Sequence, residues 1–256
     1  MHKERIHVGT SGWHYDHWQN VFYPPEVSKR EWLNFYARIF HTVEINATFY
    51  HMPKEKTFSN WYSHTSDSFV FSVKANRLIT HTKKLKDINA PLEEFLQKAK
   101  VLREKLGAIL FQLPPSFSPD LERFKVFAAT IPKDLQAAVE FRNFAWHTDA
   151  TFKLLEENNI AFCIFELAGK QSPLIVTADF VYIRLHGPGD AYKGDYSDEL
   201  LHTWAEKIIE WKNNGKEVYF YFDNDEKGYA PKNAGRLIEL VEILDTENAN
   251  AEANFF

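Results

Sequence analysis

Eight short runs of apolar or alternating residues recur along the chain, with helical patterns between them. This alternation is typical of parallel strands joined by right-handed helical crossovers. The predicted strands cover residues 6–10, 42–46, 69–75, 108–113, 137–142, 160–165, 180–186 and 217–223. The predicted helices cover residues 29–40, 55–64, 92–105, 120–131, 150–158, 198–213 and 233–244. Residues 167–179 are too few for a full helix, so this is the weakest repeat.

Eight such units predict an α/β protein made of a single (β/α)8 TIM barrel over residues 1–245. An open doubly wound sheet is the alternative. That sheet usually carries a G-x-G-x-x-G motif after its first strand, and Gly9-Thr10-Ser11-Gly12-Trp13 lacks this spacing, so we expect no nucleotide cofactor. Residues 246–256, rich in Asn, Ala and Glu, are expected to form a flexible tail.

Successive residues of a strand face opposite sides, which separates the residues that face the helices from those that face the barrel axis. In the seventh strand Val181, Ile183 and Leu185 face the helices. The side chains turned toward the axis are unusually polar: Glu44, Asn46, Ser72, Lys74, Gln112, Glu140, Arg142, Tyr182, Arg184, His186, Tyr219, Tyr221 and Asp223. Barrel active sites lie at the carboxyl ends of the strands, so we expect a polar site at this end, called the mouth below. A buried salt-bridge network that only stabilises the barrel is the alternative.

Four of these side chains are the candidate catalytic residues. Glu44 or Glu140 is expected to act as a general base, His186 as an acid, and Asp223 supplies a further carboxylate. The same four side chains could together bind a divalent metal ion, although the chain carries no H-E-x-x-H or H-x-x-E-H spacing. Many barrel glycosidases draw their two carboxylates from the ends of the fourth and seventh strands. Here those ends carry Gln112 and Arg184 with His186, which counts against a retaining glycosidase.

Three cationic side chains point to an anionic ligand. Arg142 and Arg184 are expected to hold a phosphate, carboxylate or sulfate group in a bidentate clamp. Lys74 is expected to bind an anion, and an ion pair with Glu44 on the neighbouring strand is the alternative. An imine-forming Lys74 is the least favoured role, because strongly charged neighbours favour the ammonium form.

The remaining candidate binding residues lie in the loops that follow the strands. The first loop and the loops after the second and fifth strands carry aromatic rings suited to stacking against a sugar or a base. Short polar side chains accompany them, and for Asn224 and Asn233 helix capping is the alternative. This set comprises Trp13, Tyr15, Asn46, Tyr50, Gln112, Trp146, Asn224, Asp225 and Asn233.

Composition narrows the partners. Hydrophobic residues make up 45% of the chain and charged residues 25%, which is ordinary for a soluble globular protein. The net charge of -5 gives no global basic field for nonspecific nucleic-acid binding. The single cysteine, Cys163, lies in an apolar run and fits a buried hydrophobe. With no apolar leader and no run long enough to span a bilayer, we expect a cytoplasmic protein that does not bind membranes.

Several motifs together resemble the YecE-like family, the domain of unknown function numbered seventy-two. They include Gly9-Thr10-Ser11-Gly12-Trp13, Val43-Glu44-Ile45-Asn46, Phe71-Ser72-Val73-Lys74-Ala75, Phe111-Gln112-Leu113-Pro114-Pro115, Val139-Glu140-Phe141-Arg142, Arg184-Leu185-His186-Gly187 and Tyr221-Phe222-Asp223-Asn224-Asp225. The resemblance covers residues 8–240 and implies a TIM barrel without supplying a reaction. Its links to sugar isomerases and to barrel endonucleases are analogies of fold, and this chain lacks the histidine-rich zinc cluster of those endonucleases.

The leading hypothesis is a hydrolase or isomerase that acts on a phosphorylated sugar or a nucleic-acid-derived phosphoester. A small anionic or polyhydroxylated ligand is the expected partner. The alternative is a non-catalytic module that binds single-stranded nucleic acid or another ligand through the loop aromatics.

Overall fold

The computed structural model describes residues 5–253, and this part of the chain forms a barrel of eight parallel strands surrounded by helices. The barrel strands are β1 Ile6–Thr10, β2 Thr42–Ile45, β3 Val70–Lys74, β4 Leu106–Leu113, β5 Ala137–Phe141, β6 Ala161–Leu167, β8 Phe180–Leu185 and β9 Glu217–Phe222. The two-residue strand β7 Lys170–Gln171 pairs antiparallel with β6. The predicted strands are confirmed, and their ends shift by no more than two residues.

The α-helices are α1 Trp32–Tyr36, α2 Ala47–Tyr50, α3 Glu55–Ser63, α4 Asn89–Ala99, α5 Leu121–Thr130, α6 Asp149–Glu157, α7 Asp198–Asn213 and α8 Tyr229–Ala253. The helix predicted over 29–40 is reduced to the short α1. Helix α8 continues to Ala253, so residues 246–253 of the expected tail are helical, and residues 254–256 lie outside the described residues. No helix within residues 5–253 is both long and apolar enough to cross a membrane.

The barrel strands separate two apolar clusters, as the alternation of side chains predicts. Ile183 and Phe220 belong to the large outer cluster between the strands and the helices. Tyr182 and Tyr219 belong to a smaller cluster inside the barrel, where alanines and Cys163 leave room for the tyrosine rings. Because tyrosine carries a hydroxyl, these rings fill the interior and still offer hydrogen bonds to the polar groups at the mouth.

A tyrosine hydroxyl helps to close the barrel between the first two strands. There the ladder is reduced to one parallel bridge between Ser11 and Glu44. Below that bridge, the Thr10 amide donates to Tyr36 Oη at 2.9 Å, and Tyr36 Oη donates to the Thr42 carbonyl at 3.1 Å. Gly9 permits this approach, because a Cβ atom at that position would lie 2.4 Å from the Thr42 carbonyl oxygen. The tyrosine thus replaces direct backbone pairing at the seam.

Candidate functional site

Arg184 lies at the centre of the site and is completely buried. Its Nε donates to both carboxylate oxygens of Glu44, at 3.1 and 3.0 Å. Its Nη2 donates to Glu44 Oε1 at 2.8 Å and to Asp223 Oδ2 at 3.0 Å, and its Nη1 donates to Glu140 Oε2 at 2.8 Å. One guanidinium therefore joins carboxylates from three strands, and all three of its nitrogens are used inside the protein.

The two glutamates are likewise saturated. Glu44 also accepts hydrogen bonds from the Ser11 hydroxyl and, at 2.7 Å, from the Tyr182 hydroxyl. Glu140 accepts from Arg142 Nε as well as from Arg184. Burial alone would raise the pKa of Glu140, but Arg142 and Arg184 together hold that pKa well below its ordinary value. Neither glutamate matches the expected general base, because their oxygens are occupied by fixed partners and Glu140 stays ionised.

His186 faces two arginines at once. Arg142 Nη2 and Arg184 Nη1 lie 2.7 and 2.8 Å from His186 Nε2, and His186 Nδ1 lies 3.0 Å from the Glu166 carbonyl oxygen. Guanidinium nitrogens only donate, so Nε2 accepts and the proton resides on Nδ1. Burial, together with Arg184 and Arg142, lowers the pKa of His186 well below its usual value. The geometry therefore makes His186 a neutral acceptor and disagrees with its expected role as an acid.

This arrangement also bears on the metal alternative. Across residues 5–253 no group of three or more His, Cys, Asp or Glu side chains is placed to hold a metal ion. The reason is geometric, because the Arg184 guanidinium occupies the point at which Glu44, Glu140 and Asp223 converge. The carboxylates thus surround an organic cation in place of a metal ion.

Lys74 differs from the other cations of the site. The ion pair with Glu44, which was the alternative role of Lys74, is not formed, and none of the described residues accepts a hydrogen bond from Lys74 Nζ. The ammonium instead lies 4.6 Å from the centre of the Phe49 ring. Burial, reinforced by Arg184, lowers the pKa of Lys74 to about 8. The side chain thus keeps three unused N–H donors at the mouth.

Asp223 is the carboxylate with a free oxygen. Its Oδ2 accepts from Arg184, whereas none of the described residues donates to Oδ1. Burial raises the pKa of Asp223 to about 6, against the opposing influence of Arg184. Such a group exchanges its proton near neutral pH, which is the property required of a general acid or base. Of the four candidate catalytic residues, Asp223 is the one whose environment suits proton transfer.

Positive charge gathers on the side of the mouth formed by β3 and β5. Arg142 Nη1 has no hydrogen-bond partner among residues 5–253. Burial and the nearby charges of Lys74, Arg77 and Arg142 lower the pKa of His81 to about 4. His81 lies on a turn of π-helix, Leu78–Thr82, an element found often at functional sites. No residue spacing in the sequence indicated His81 as part of the site.

The aromatic residues expected to bind a ligand divide into two groups. Trp146 is completely buried against Phe141, and its Nε1 donates to the Phe117 carbonyl at 2.8 Å, so it belongs to the outer core and not to the mouth. Trp13 and Tyr15 are partly buried, and Tyr15 Oη donates to the Ser11 carbonyl at 2.5 Å. Only Tyr50, 64% exposed, presents an open ring among the predicted set.

The amides after β9 fasten a loop. Asn224 Nδ2 donates to the Gly194 carbonyl at 2.8 Å and to Asn233 Oδ1 at 2.9 Å. Asn233 Nδ2 in turn donates to Asp195 Oδ1 at 2.8 Å. Both side chains therefore hold the loop that follows β8, although the buried Asn224 Oδ1 has no partner among the described residues. Asp225 lies nearby, and its carbonyl oxygen accepts from Trp18 Nε1 at 2.9 Å.

Two predicted binding residues remain at the mouth with unused groups. Asn46 Nδ2 donates to Ser11 Oγ at 2.5 Å, while its buried Oδ1 has no partner. Gln112 is partly buried on β4 in register with Glu140, and its side-chain amide has no hydrogen bond to the described residues. Both amides are therefore able to bind a polar ligand.

The loop after β8 brings one further residue to the mouth. The Tyr192 ring stands at 76° to the His186 ring with 5.6 Å between ring centres, and it remains 45% exposed. Gly187 shapes this loop with a φ of +110°, where a Cβ atom would lie 2.1 Å from the Lys193 carbonyl oxygen. Tyr192 did not emerge from the sequence, because its run of Gly, Pro and Asp predicts only an irregular loop.

The sequence matches a known protein family over almost its whole length. A family profile described as "Protein of unknown function DUF72" matches residues 7–254. The chain belongs to this family. The DUF72 chain is 30% identical to the UPF0759 protein YecE of Escherichia coli (strain K12), over 89% of each chain. It is 26% identical to the UPF0759 protein YunF of Bacillus subtilis (strain 168), over 93% of this chain and 95% of that one.

Solved structures agree with this assignment. A DUF72 family protein from Thermotoga maritima superimposes with a TM-score of 0.85 at 30% identity, covering 93% of this chain and 100% of that one. A DUF72 family protein from Enterococcus faecalis gives a TM-score of 0.79 at 21% identity, over 93% of this chain and 95% of that one, which supports the fold alone. The resemblance to the family and the TIM-barrel prediction are both confirmed.

Proposed function

We propose that this protein is an enzyme of hydrolase or isomerase type whose substrate is a phosphorylated sugar or a nucleic-acid-derived phosphoester bound at the mouth. The observation that carries the proposal is the pair of cations with unused donors, Lys74 and Arg142, which share the mouth with an aspartate whose Oδ1 is free. The cations suit the anionic group of a substrate, and Asp223 suits the transfer of a proton.

The saturated part of the site supports the proposal in a different way. Arg184, Glu44 and Glu140 hold one another through short hydrogen bonds in a buried environment, so they do not have to reorganise when a ligand binds. Arg184 holds Asp223 through a hydrogen bond, and Glu140 holds Arg142 through an ion pair. The role of anion clamp, expected for both arginines, thus passes to Arg142 together with Lys74.

The nucleic-acid-binding alternative loses several of its stacking platforms. Trp18 and Trp146 are completely buried, and Trp13 packs at 88° to the Trp61 ring with 5.5 Å between ring centres. Tyr50 is exposed, but one ring offers a stack for a single base. Binding of a single-stranded oligonucleotide is therefore retained as an outcome of the test.

Isothermal titration calorimetry with ribose 5-phosphate, inorganic phosphate and a single-stranded oligonucleotide tests the proposal. We expect ribose 5-phosphate to bind the wild-type protein, and Arg142→Met to weaken that binding by about tenfold or more, because a charge-assisted hydrogen bond contributes about 1.5–3 kcal/mol. Arg236→Met is the matched control, since Arg236 pairs with Asp198 and Glu239 on the surface.

Three results would contradict the proposal. Absence of binding heat with both ribose 5-phosphate and inorganic phosphate would contradict recognition of a phosphate group at the mouth. Equal affinities in the Arg142 and Arg236 variants would place binding outside the mouth. Salt-sensitive binding of the oligonucleotide without binding of ribose 5-phosphate would favour the nucleic-acid-binding module. Circular dichroism of each variant checks that the barrel is retained.

A further inference from the structure

Lys74 is exceptional among the enclosed cations of this protein. It ends β3 and projects into the barrel on the same face as Ser72, whose Oγ accepts from the Tyr221 hydroxyl at 2.9 Å. Lys105 provides the comparison, because it is buried and donates to the carbonyl oxygens of Tyr62 and Thr65 at 2.7 and 2.9 Å. Lys74 Nζ makes no such bond to any residue between 5 and 253. Because Lys74 is only partly buried, its nitrogen keeps its hydrogen-bonding capacity for a ligand.

Two of the nearby carboxylates cannot serve as acceptors, because arginines have engaged them. Glu44 uses both oxygens for Arg184, and Glu140 divides its two oxygens between Arg142 and Arg184. The Lys74 ammonium packs against the face of Phe49. Lys74 is therefore held against an aromatic surface, and its nitrogen has no acceptor among the described residues.

We propose that Lys74 is a nucleophile that forms an imine with the aldehyde or ketone carbon of a small substrate, such as the open-chain form of a sugar. This inference rests on the proposed function, because it assigns a covalent step to the same site. It changes the part played by Lys74 from an electrostatic contact to a covalent one, and it leaves Arg142 to bind the anionic group. The substrate class thereby narrows to phosphorylated carbonyl compounds.

The step balances without any further reactant. The unprotonated amine forms a C–N bond to the carbonyl carbon while the C=O π pair moves to oxygen, and one proton passes from the nitrogen through Asp223 to that oxygen to give a carbinolamine. The Asp223 carboxyl group then protonates the hydroxyl, the C–O bond breaks to release water, and the nitrogen returns its second proton to Asp223 as the C=N bond forms. The products are the imine and one water molecule, and hydrolysis reverses the sequence. Asp223 is suited to this transfer because its charge acts directly on Lys74.

The charges around the amine bear on how often it is unprotonated. Three of the charges that act on it, those of Arg184, Glu44 and Glu140, lie in strands. Asp223 follows β9, and His81 lies on the π-helical turn. Burial and Arg184 prevail and lower the pKa of Lys74 to about 8. At pH 7 roughly one Lys74 in ten is then a free amine, far more than for a surface lysine with its pKa near 10.4. From the sequence, charged neighbours were expected to favour the ammonium form of Lys74. In the structure, one of those neighbours, Arg184, disfavours that form.

Reductive trapping of the wild-type protein tests the inference. The protein is incubated with glyceraldehyde 3-phosphate and sodium cyanoborohydride near neutral pH, and peptides are mapped by mass spectrometry. We expect Lys74 to gain the mass of the aldehyde less one oxygen, at an initial rate about tenfold above that of exposed lysines such as Lys86. As the pH rises, the rate at Lys74 levels off above about pH 8, while the rates at exposed lysines continue to increase. Labelling of surface lysines with Lys74 unmodified would overturn the inference.

Two comparisons separate this inference from the proposed function. Lys74→Arg retains a positive charge but cannot form an imine, so it should retain inorganic phosphate binding and lose trapping, whereas Lys86→Arg, at an exposed lysine, should retain both. Phosphate binding without labelling of Lys74 would leave the proposed function standing and refute the imine. Equal labelling of Lys74 by glyceraldehyde and by glyceraldehyde 3-phosphate would support the imine and contradict the preference for a phosphorylated substrate.

Discussion

Replacing Arg184 with methionine tests whether its guanidinium holds the site together. Arg184 is completely buried, and its loss leaves Glu44, Glu140 and Asp223 without the cation that they share. Removing one partner of a buried ion pair costs about 3–5 kcal/mol. We expect Arg184→Met to lower the free energy of unfolding by at least this amount near neutral pH. Urea-induced unfolding followed by tryptophan fluorescence measures it.

The pH dependence of that loss has a definite sign. In the wild-type protein Arg142 and Arg184 hold the pKa of Glu140 well below its ordinary value, so this glutamate adds stability above the ordinary value near 4.5 and loses it as the pH falls through the lowered pKa. Without Arg184, burial raises the pKa of Glu140. Protonation of Glu140 then reduces the loss of stability in the variant as the pH falls. The difference between wild type and variant should therefore narrow toward about pH 5.

A matched variant distinguishes a buried partner from an exposed one. Arg236 also forms ion pairs with two carboxylates, Asp198 and Glu239, but it does so at the surface of the protein. We expect Arg236→Met to leave the urea midpoint nearly unchanged, since water screens such pairs. A loss below about 1 kcal/mol for Arg184→Met, or a loss that stays constant from neutral to acidic pH, would refute the argument that Arg184 compensates buried charge.

Three further substitutions test separate parts of the structure. Asp223→Asn removes a group whose raised pKa costs stability as the pH rises through about 6, so from about pH 4 to pH 7 the variant should gain about 3 kcal/mol relative to wild type in urea unfolding. Tyr36→Phe removes the hydroxyl that bridges the first two strands and should cost about 1–3 kcal/mol, whereas Tyr62→Phe removes a surface bond and should change the urea midpoint little. Gly187→Ala should weaken ribose 5-phosphate binding by distorting the loop at the mouth, and this variant should have a lower melting temperature. Gly235→Ala should instead raise the melting temperature, because alanine stabilises helix α8 by about 0.5–1 kcal/mol. Each pair fails its prediction if the two variants behave alike.

Alternation along the strands allowed most of the barrel to be predicted. A strand has a period of two, so the order of residues alone assigns Tyr182 to the interior and Ile183 to the outer core, as the two apolar clusters confirm. The ends of the helices were less predictable. The helix expected over 92–105 ends at Ala99, and a tighter turn containing Arg103 at a φ of 51° completes the connection. Arginine is a good helix former, so its sequence gives no signal of this break.

The choice of partners at the mouth could not be predicted. Both Lys74 and Arg184 were expected to point inward, and either one could have paired with Glu44. The outcome depends on distances across the barrel and on geometry, because a planar guanidinium can meet several carboxylates at once whereas an ammonium is a point charge. The prediction that Trp146 binds a ligand at the mouth was wrong for a related reason, because the turn after β5 directs its ring toward the outer core. Strand spacing carries no information about either effect.

We interpret the buried network as the support of the candidate site. In a network selected for stability alone, apolar residues would often serve as well. Here Arg184 takes up the carboxylates and leaves Lys74 without an acceptor among the described residues, while burial, opposed by Arg184, raises the pKa of Asp223 to about 6. Both features disfavour the folded state, so their presence calls for a gain outside stability. A ligand that accepts from Lys74 and exchanges a proton with Asp223 would supply that gain, and this reasoning connects the stability experiments on Asp223 with the trapping of Lys74.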